Sequence, residues 1–454
     1  MNIDLTRKKF IGSSAAAATT FMMPRFLRAK PTVKKLRLAC IGVGGMGNRD
    51  VMSLQGETVV GLCDVDPRAL KNPSRTYPSA KTYSDFRVML RELKDEIDAV
   101  TVSTPDHTHF PASIMALQMG KHLYVQKPMA HTVEEVRLMM AEAKEQNVVT
   151  QMGNQGHALQ GIRLIREWIE AGLIGDVSEV TAWTDRPKTG YGFLDKEQLA
   201  YPPAQLAPDT LDWDLWTGPV QDPPGYAPGV YHPKHWRGWW KFGMGGLGDI
   251  GCHTLDSPFW ALNLNVPHKV EVTVDHVNPI FTPAGSVVTF HCRQKESETV
   301  IPVTWHEGPS LPKAPAAMGA EKLSDKGGLM IIGSKGVIYH ADMRPDSPRL
   351  FPEELWQNFR TNPDSRPPAV YPRIKGGHRA EWLRACKGEG PTPGANFEYS
   401  GPLTEMIVLG TLAIRTGKGF EYDAENVKIS NNPEANALLR IPGREGFRPE
   451  DLRG

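Results

Sequence analysis

An apolar run, Leu36-Arg37-Leu38-Ala39-Cys40-Ile41, passes straight into Gly42-Val43-Gly44-Gly45-Met46-Gly47. A strand that ends on such a turn and opens a helix starts a doubly wound parallel sheet. Gly42 permits the tight turn, Gly44 lets backbone N–H groups approach a pyrophosphate, and Gly47 lets the helix pack close to the strand. The helix N-terminus then faces the phosphates. A second run, Val59-Val60-Gly61-Leu62-Cys63, ends in Asp64, about 20 residues on, where an acid meets the adenosine ribose hydroxyls. A carboxylate there repels a 2′-phosphate, so NAD is expected over NADP. The competing reading makes Asp64 a cap or turn residue before Pro67, with Arg68 free to hold a phosphate.

Length and composition bound the rest. A chain of 454 residues with 40% hydrophobic content can bury two cores. The formal net charge of +1 offers no field for a polyanion, and no basic tract points to nucleic acid. Cys40, Cys63, Cys252, Cys292 and Cys386 lack C-x-x-C spacing and indicate neither a disulfide framework nor a zinc ribbon. His107, His109, Cys252 and His253 are metal-ligand types without a recognised spacing, and no metal is expected. Residues 1–30 read as an export signal and linker. Thr6-Arg7-Lys8-Lys9-Phe10-Ile11 precedes an alanine-rich run ending near Met23, too short to span a bilayer. The segment resembles a twin-arginine signal with Lys8 at the second arginine, which implies the periplasm; an unstructured cytoplasmic tail is the alternative.

Residues 31–153 alternate strand and helix, as a dinucleotide-binding domain requires. Strands are expected at 97–103 and 122–125. Thr132 and Glu135 form a capping box for a helix whose Val136, Met139, Met140 and Ala143 recur at helical spacing. From residue 154 to 454 an α+β domain follows, with a helix over 162–171 and a large, mostly antiparallel open sheet from runs at 269–277, 286–292, 300–305 and 329–338. Residues 311–328 and 344–377 read as surface loops, and 378–387 and 403–416 as helices. Seven of eleven tryptophans lie from Trp183 to Trp260, which suits either platforms for sugar rings or a packed loop core.

Three clusters point at a reactive centre. Gln126-Lys127-Pro128 follows a parallel strand, whose carboxyl end faces the ligand crevice. Gly248-Asp249-Ile250-Gly251-Cys252-His253 places an acid and a histidine four apart, on one face of a helix, suited to proton transfer at a hydroxyl or carbonyl. Asp106-His107-Thr108-His109 lies at another strand end. Thr104, Pro105, His107, Gln126 and Lys127 join Gly42, Gly44, Gly45, Met46, Gly47 and Asp64 as residues expected to hold the nucleotide.

With the Gly42–Gly47 turn, Gln126-Lys127-Pro128 and the glycine-rich 243–253 stretch running into Asp256, the chain resembles the glucose-fructose oxidoreductase, inositol dehydrogenase and MocA family. The resemblance implies a Rossmann domain followed by an open-sheet α/β substrate and oligomerisation domain, NAD as cofactor, and homo-oligomers joined through the sheet face. It implies Lys127, Asp249 and His253 as catalytic residues: His253 takes a hydroxyl proton, Lys127 polarises the oxygen, and Asp249 orients His253 or the substrate. Asn154, Trp183, Trp236 and Arg237 are candidates for substrate contacts. Glutamate usually precedes the lysine, so Gln126 is a departure. The expected activity is hydride transfer between NAD and a secondary hydroxyl of a sugar, polyol or glycoside. The alternatives are redox-neutral glycoside hydrolysis through a keto-sugar and a non-catalytic nucleotide-binding protein.

Overall fold

The computed structural model describes residues 35–187, 191, 197–295 and 297–453; the expected export segment, residues 1–30, lies outside them. Six strands, β1 (Arg37–Ile41), β2 (Thr58–Cys63), β3 (Lys81–Tyr83), β4 (Ala99–Val102), β5 (His122–Val125) and β6 (Thr150–Met152), form a parallel sheet in the order β3-β2-β1-β4-β5-β6. The chain returns through helices between strands, so both faces are covered and β4 is buried along its whole length. Thr132 caps the helix Val133–Glu145 through the full capping box with Glu135, and Met139 is wholly buried.

Nine further strands build the second sheet. They are β7 (Val177–Thr184), β8 (Lys269–Val274), β9 (Ser286–Arg293), β10 (Val300–Glu307), β11 (Gly327–Gly333), β12 (Val337–Ala341), β13 (Arg349–Phe351), β14 (Phe420–Asp423) and β15 (Lys428–Ile429). Their order is β13-β12-β11-β7-β10-β9-β8-β14-β15. All neighbours are antiparallel except β7 and β10. The alternation of β9 and β10 turns Val288, Phe290, Ile301, Val303 and Trp305 inward, into the core that also holds the buried face of the helix Phe397–Thr416. That helix also meets the dinucleotide domain: Arg137 of the helix Val133–Glu145 donates to Glu405, which accepts again from Tyr422 at 2.8 Å.

Two stretches depart from expectation. The 329–338 run is two strands, β11 and β12, because Ser334-Lys335-Gly336 turns the chain between them. The 344–377 stretch is not all loop: it carries β13 and the helix Glu353–Thr361. The helix Gly377–Cys386 then packs on the first sheet, far from it in sequence. Its Trp382 is fully buried among Leu36, Leu38, Cys40 and Tyr124. Arg379 pairs with Asp50, Lys387 with Glu57. Among the described residues no helix is long and apolar enough to cross a membrane.

Candidate active site

The glycine turn is shaped by what a side chain would strike. Gly42 has φ +74°, and a Cβ on it would lie 2.7 Å from the Ser103 carbonyl oxygen; one on Gly47 would lie 1.9 Å from the Gly42 oxygen. At Gly45 a Cβ would meet nothing within 4 Å. No side chain caps the first turn of the helix Gly45–Met52. Its unsatisfied N–H groups fit a pyrophosphate. Asp64 closes the turn from below: Oδ2 accepts from the Val43 and Gly44 N–H groups at 2.9 and 3.2 Å. Burial raises its pKa against those hydrogen bonds. Arg68, the alternative phosphate holder, is instead forked onto Asp66 through Nε and Nη2. Thr104 Oγ1 is buried without a partner among the described residues, and Pro105 is the N-cap of the helix Asp106–Gln118.

At the carboxyl end of β5 the Lys127 ammonium donates to the Asp249 carbonyl at 2.7 Å and to Asp249 Oδ1 at 2.9 Å. Arg237 Nε donates to the same Oδ1 at 3.2 Å, and the Tyr191 hydroxyl to Oδ2 at 2.7 Å. Burial alone would lift the Asp249 pKa, but the Lys127 and Arg237 charges and the hydrogen bonds of Lys127 and Tyr191 hold it well below the usual carboxylate range. His253 is buried, and its Nδ1 has no partner among the described residues. Burial first, then the Lys127 and Arg344 charges, depress its pKa far below 6.5 and keep the imidazole neutral. Asp106 completes the charge set: burial lifts it to about 7, while Lys127 and Arg237 pull it down.

Leu247–Gly251 is a π-helical turn running into the helix Cys252–Thr254, and the Asp249 charge acts on the His253 imidazole four residues on. Asp249 also anchors Lys127, Arg237 and Tyr191. His107 is turned away from the crevice, its ring nitrogens facing the carbonyls of Phe242 and Trp216. The tryptophan-rich stretch is a packed core: Trp216, Tyr231, Trp236, Trp239 and Phe242 bury one another, and Arg237 lies over the Trp236 ring. Trp183 is fully buried, stacked on Tyr339, with its indole N–H on the Ser324 carbonyl. Asn154, just after β6, has Nδ2 and Oδ1 both buried and unpartnered among the described residues. Gln126 donates to Asp50, and Met46 stands partly exposed at the open helix end. Tyr191 and Arg344 had no signal in sequence, because each reaches the cluster from a segment without a motif. Asp106 belongs to the strand-end cluster 106–109, where nothing in the sequence marks its charge as part of the centre.

The description "Oxidoreductase family, NAD-binding Rossmann fold" matches residues 36–154, and its "C-terminal alpha/beta domain" matches residues 160–290. Levoglucosan dehydrogenase of Pseudarthrobacter phenanthrenivorans is 28% identical over 116 residues, 26% of this chain and 29% of that protein. A glycosyl hydrolase family 109 protein of Shewanella pealeana is 28% identical over 159 residues, 32% of this chain and 34% of its own length. The matches thus span about a third of those curated relatives. Among solved structures, the WlbA dehydrogenase of Bordetella pertussis, in complex with NADH and UDP-GlcNAcA, superposes with a TM-score of 0.59 at 16% identity. That match covers 86% of this chain and 99% of that one, and it shows a shared fold. With its NAD-binding Rossmann domain and the α/β domain that follows, the chain belongs to the glucose-fructose oxidoreductase, inositol dehydrogenase and MocA family of oxidoreductases.

Proposed function

We propose that the protein is an NAD-dependent dehydrogenase acting on a secondary hydroxyl of a sugar, polyol or glycoside. The observation that carries this reading is the Lys127 ammonium, fixed by ionised Asp249 beside a neutral, buried His253. Bound NAD supplies the hydride acceptor. The chain supplies the proton chemistry. His253 Nδ1, which has no partner among the described residues, accepts the hydroxyl proton as the carbon gives up hydride and becomes a ketone. An ammonium has three donors; Asp249 occupies two of Lys127's, and the third polarises the substrate oxygen. The Asp249 charge favours the imidazolium that forms. Arg237, which donates to the same Asp249, and Asn154, whose buried amide has no partner among the described residues, are the substrate-contact candidates that this reading keeps.

Redox-neutral glycoside hydrolysis through a keto-sugar is the second reading, supported by the likeness to the Shewanella pealeana protein. NADH absorbance and product analysis on a panel of monosaccharides, polyols and aryl glycosides separate the two: net NADH marks the dehydrogenase, free sugar without NADH the hydrolase. Lys127→Ala and His253→Ala should each lower kcat by about 10²- to 10⁴-fold with NAD affinity retained. Near-normal turnover in both variants overturns the assignment. The reading also includes a homo-oligomer joined through the second sheet and residence in the periplasm, which sedimentation and fractionation of the full chain check.

A further inference from the structure

A cavity of about 260 Å³ opens where β7 ends, β11 begins and β12 ends, lined by Thr184, Arg186, Ile250, Lys326, Asp342 and Met343. Two of its lining residues are chain neighbours of residues at the reactive centre. Ile250 directly follows Asp249, and Met343 directly precedes Arg344, whose guanidinium charge acts on His253. Arg344 Nη2 donates to Gln155 Oε1 at 3.3 Å, while its Nε is buried without a partner among the described residues. An unpartnered buried donor is costly unless a ligand oxygen meets it. The cavity is smaller than the roughly 300–1,000 Å³ of a complete small-molecule site, so it extends a site rather than forming one. Its lining sets the Arg186 and Lys326 cations and the Asp342 carboxylate beside the aliphatic faces of Ile250 and Met343. That mixture matches a sugar ring, whose hydroxyls both donate and accept and whose C–H face is apolar.

Resting on the dehydrogenase reading above, we infer that the substrate is a glycoside of two sugar rings, one oxidised at Lys127 and His253 and the other seated in this cavity. The Arg344 Nε–H meets an oxygen near the linkage between them. The test compares gluco-, galacto- and manno-configured monosaccharides, their methyl glycosides and the matching disaccharides on the NAD-loaded protein. At least one disaccharide should exceed its monosaccharide in kcat/KM by 10-fold or more. Met343→Trp, which fills the cavity, and Lys326→Ala, which removes a donor, should erase that preference and leave monosaccharide kcat/KM within about 2-fold. Equal rates for one and two rings, or a preference that survives both variants, overturn the inference. If no sugar turns over, calorimetric titration with the same disaccharides decides: binding weakened 10-fold by Met343→Trp upholds the subsite while the dehydrogenase reading fails, and no binding overturns the subsite.

Discussion

At position 126, where the family resemblance leads one to expect glutamate, a glutamine faces a buried carboxylate. Gln126 Nε2 donates at 2.8 Å to Asp50 Oδ2, which also accepts from Ser103 Oγ at 2.7 Å, while Arg379 takes the other oxygen. Asp50 is 1% exposed. A glutamate at 126 would turn a donor into a second carboxylate against a buried one, and one of the pair would then hold its proton to a raised pKa. A raised folded pKa gives stability that is complete below the unfolded value and lost as pH rises through the folded one. Gln126→Glu should therefore cost little near about pH 4 and about 2 kcal/mol at pH 8, the order of one buried unsatisfied group. Thermal melts of both proteins at the two pH values check this; an equal loss at both refutes it.

Among the elements, the helix Gly377–Cys386 is the clearest case of distant sequence completing a local fold. Arg379→Ala would strand the Asp50 carboxylate without its cation, and breaking a buried pair costs about 3–5 kcal/mol. A urea midpoint lowered in proportion, with NAD titration run alongside, measures it; an unchanged midpoint contradicts the pairing. The same helix shows where sequence reading stops. The β1 turn, the strand at His122–Val125 and the Thr132–Glu135 capping box were legible because each is written within a few neighbouring residues. Trp382 carries no mark that it belongs to the first sheet. Asp249 and His253 were findable by motif, but the anchoring of Asp249 by Arg237 and Tyr191 was not, since these reach it from 12 and 58 positions away. The tryptophans left two readings open in sequence because an aromatic ring suits a sugar or a core equally; only packing shows that Trp216 and Trp239 face Phe242 and Phe281.

Over the whole molecule, burial sets two groups of titrating side chains against each other. It holds His107 and His378 at about 3 and His109, His131 and His340 at about 4. It lifts Asp106, Glu135 and Glu307 to about 7. The histidines' stabilisation is complete above their unfolded value of about 6.5 and is lost as pH falls to their folded values; the acids' is complete below about pH 4 and is lost as pH rises to their folded values. From pH 7 to 5 the two trends oppose; below about pH 4 the raised acids have no more to give, while His107 and His378 still charge and Asp249, held below the usual carboxylate range, loses its ionised form, so every remaining change destabilises. Tm should vary little from pH 7 to 5 and fall steeply below 4; a Tm still rising at pH 3 contradicts this balance. The late helix has a consequence for synthesis. Arg379 and Asp50 are 329 positions apart, which at ribosomal rates is on the order of tens of seconds. Throughout that interval the nascent first sheet lacks Trp382 over Tyr124, so an apolar face that the finished protein buries stays open to water until the chain's last fifth is made.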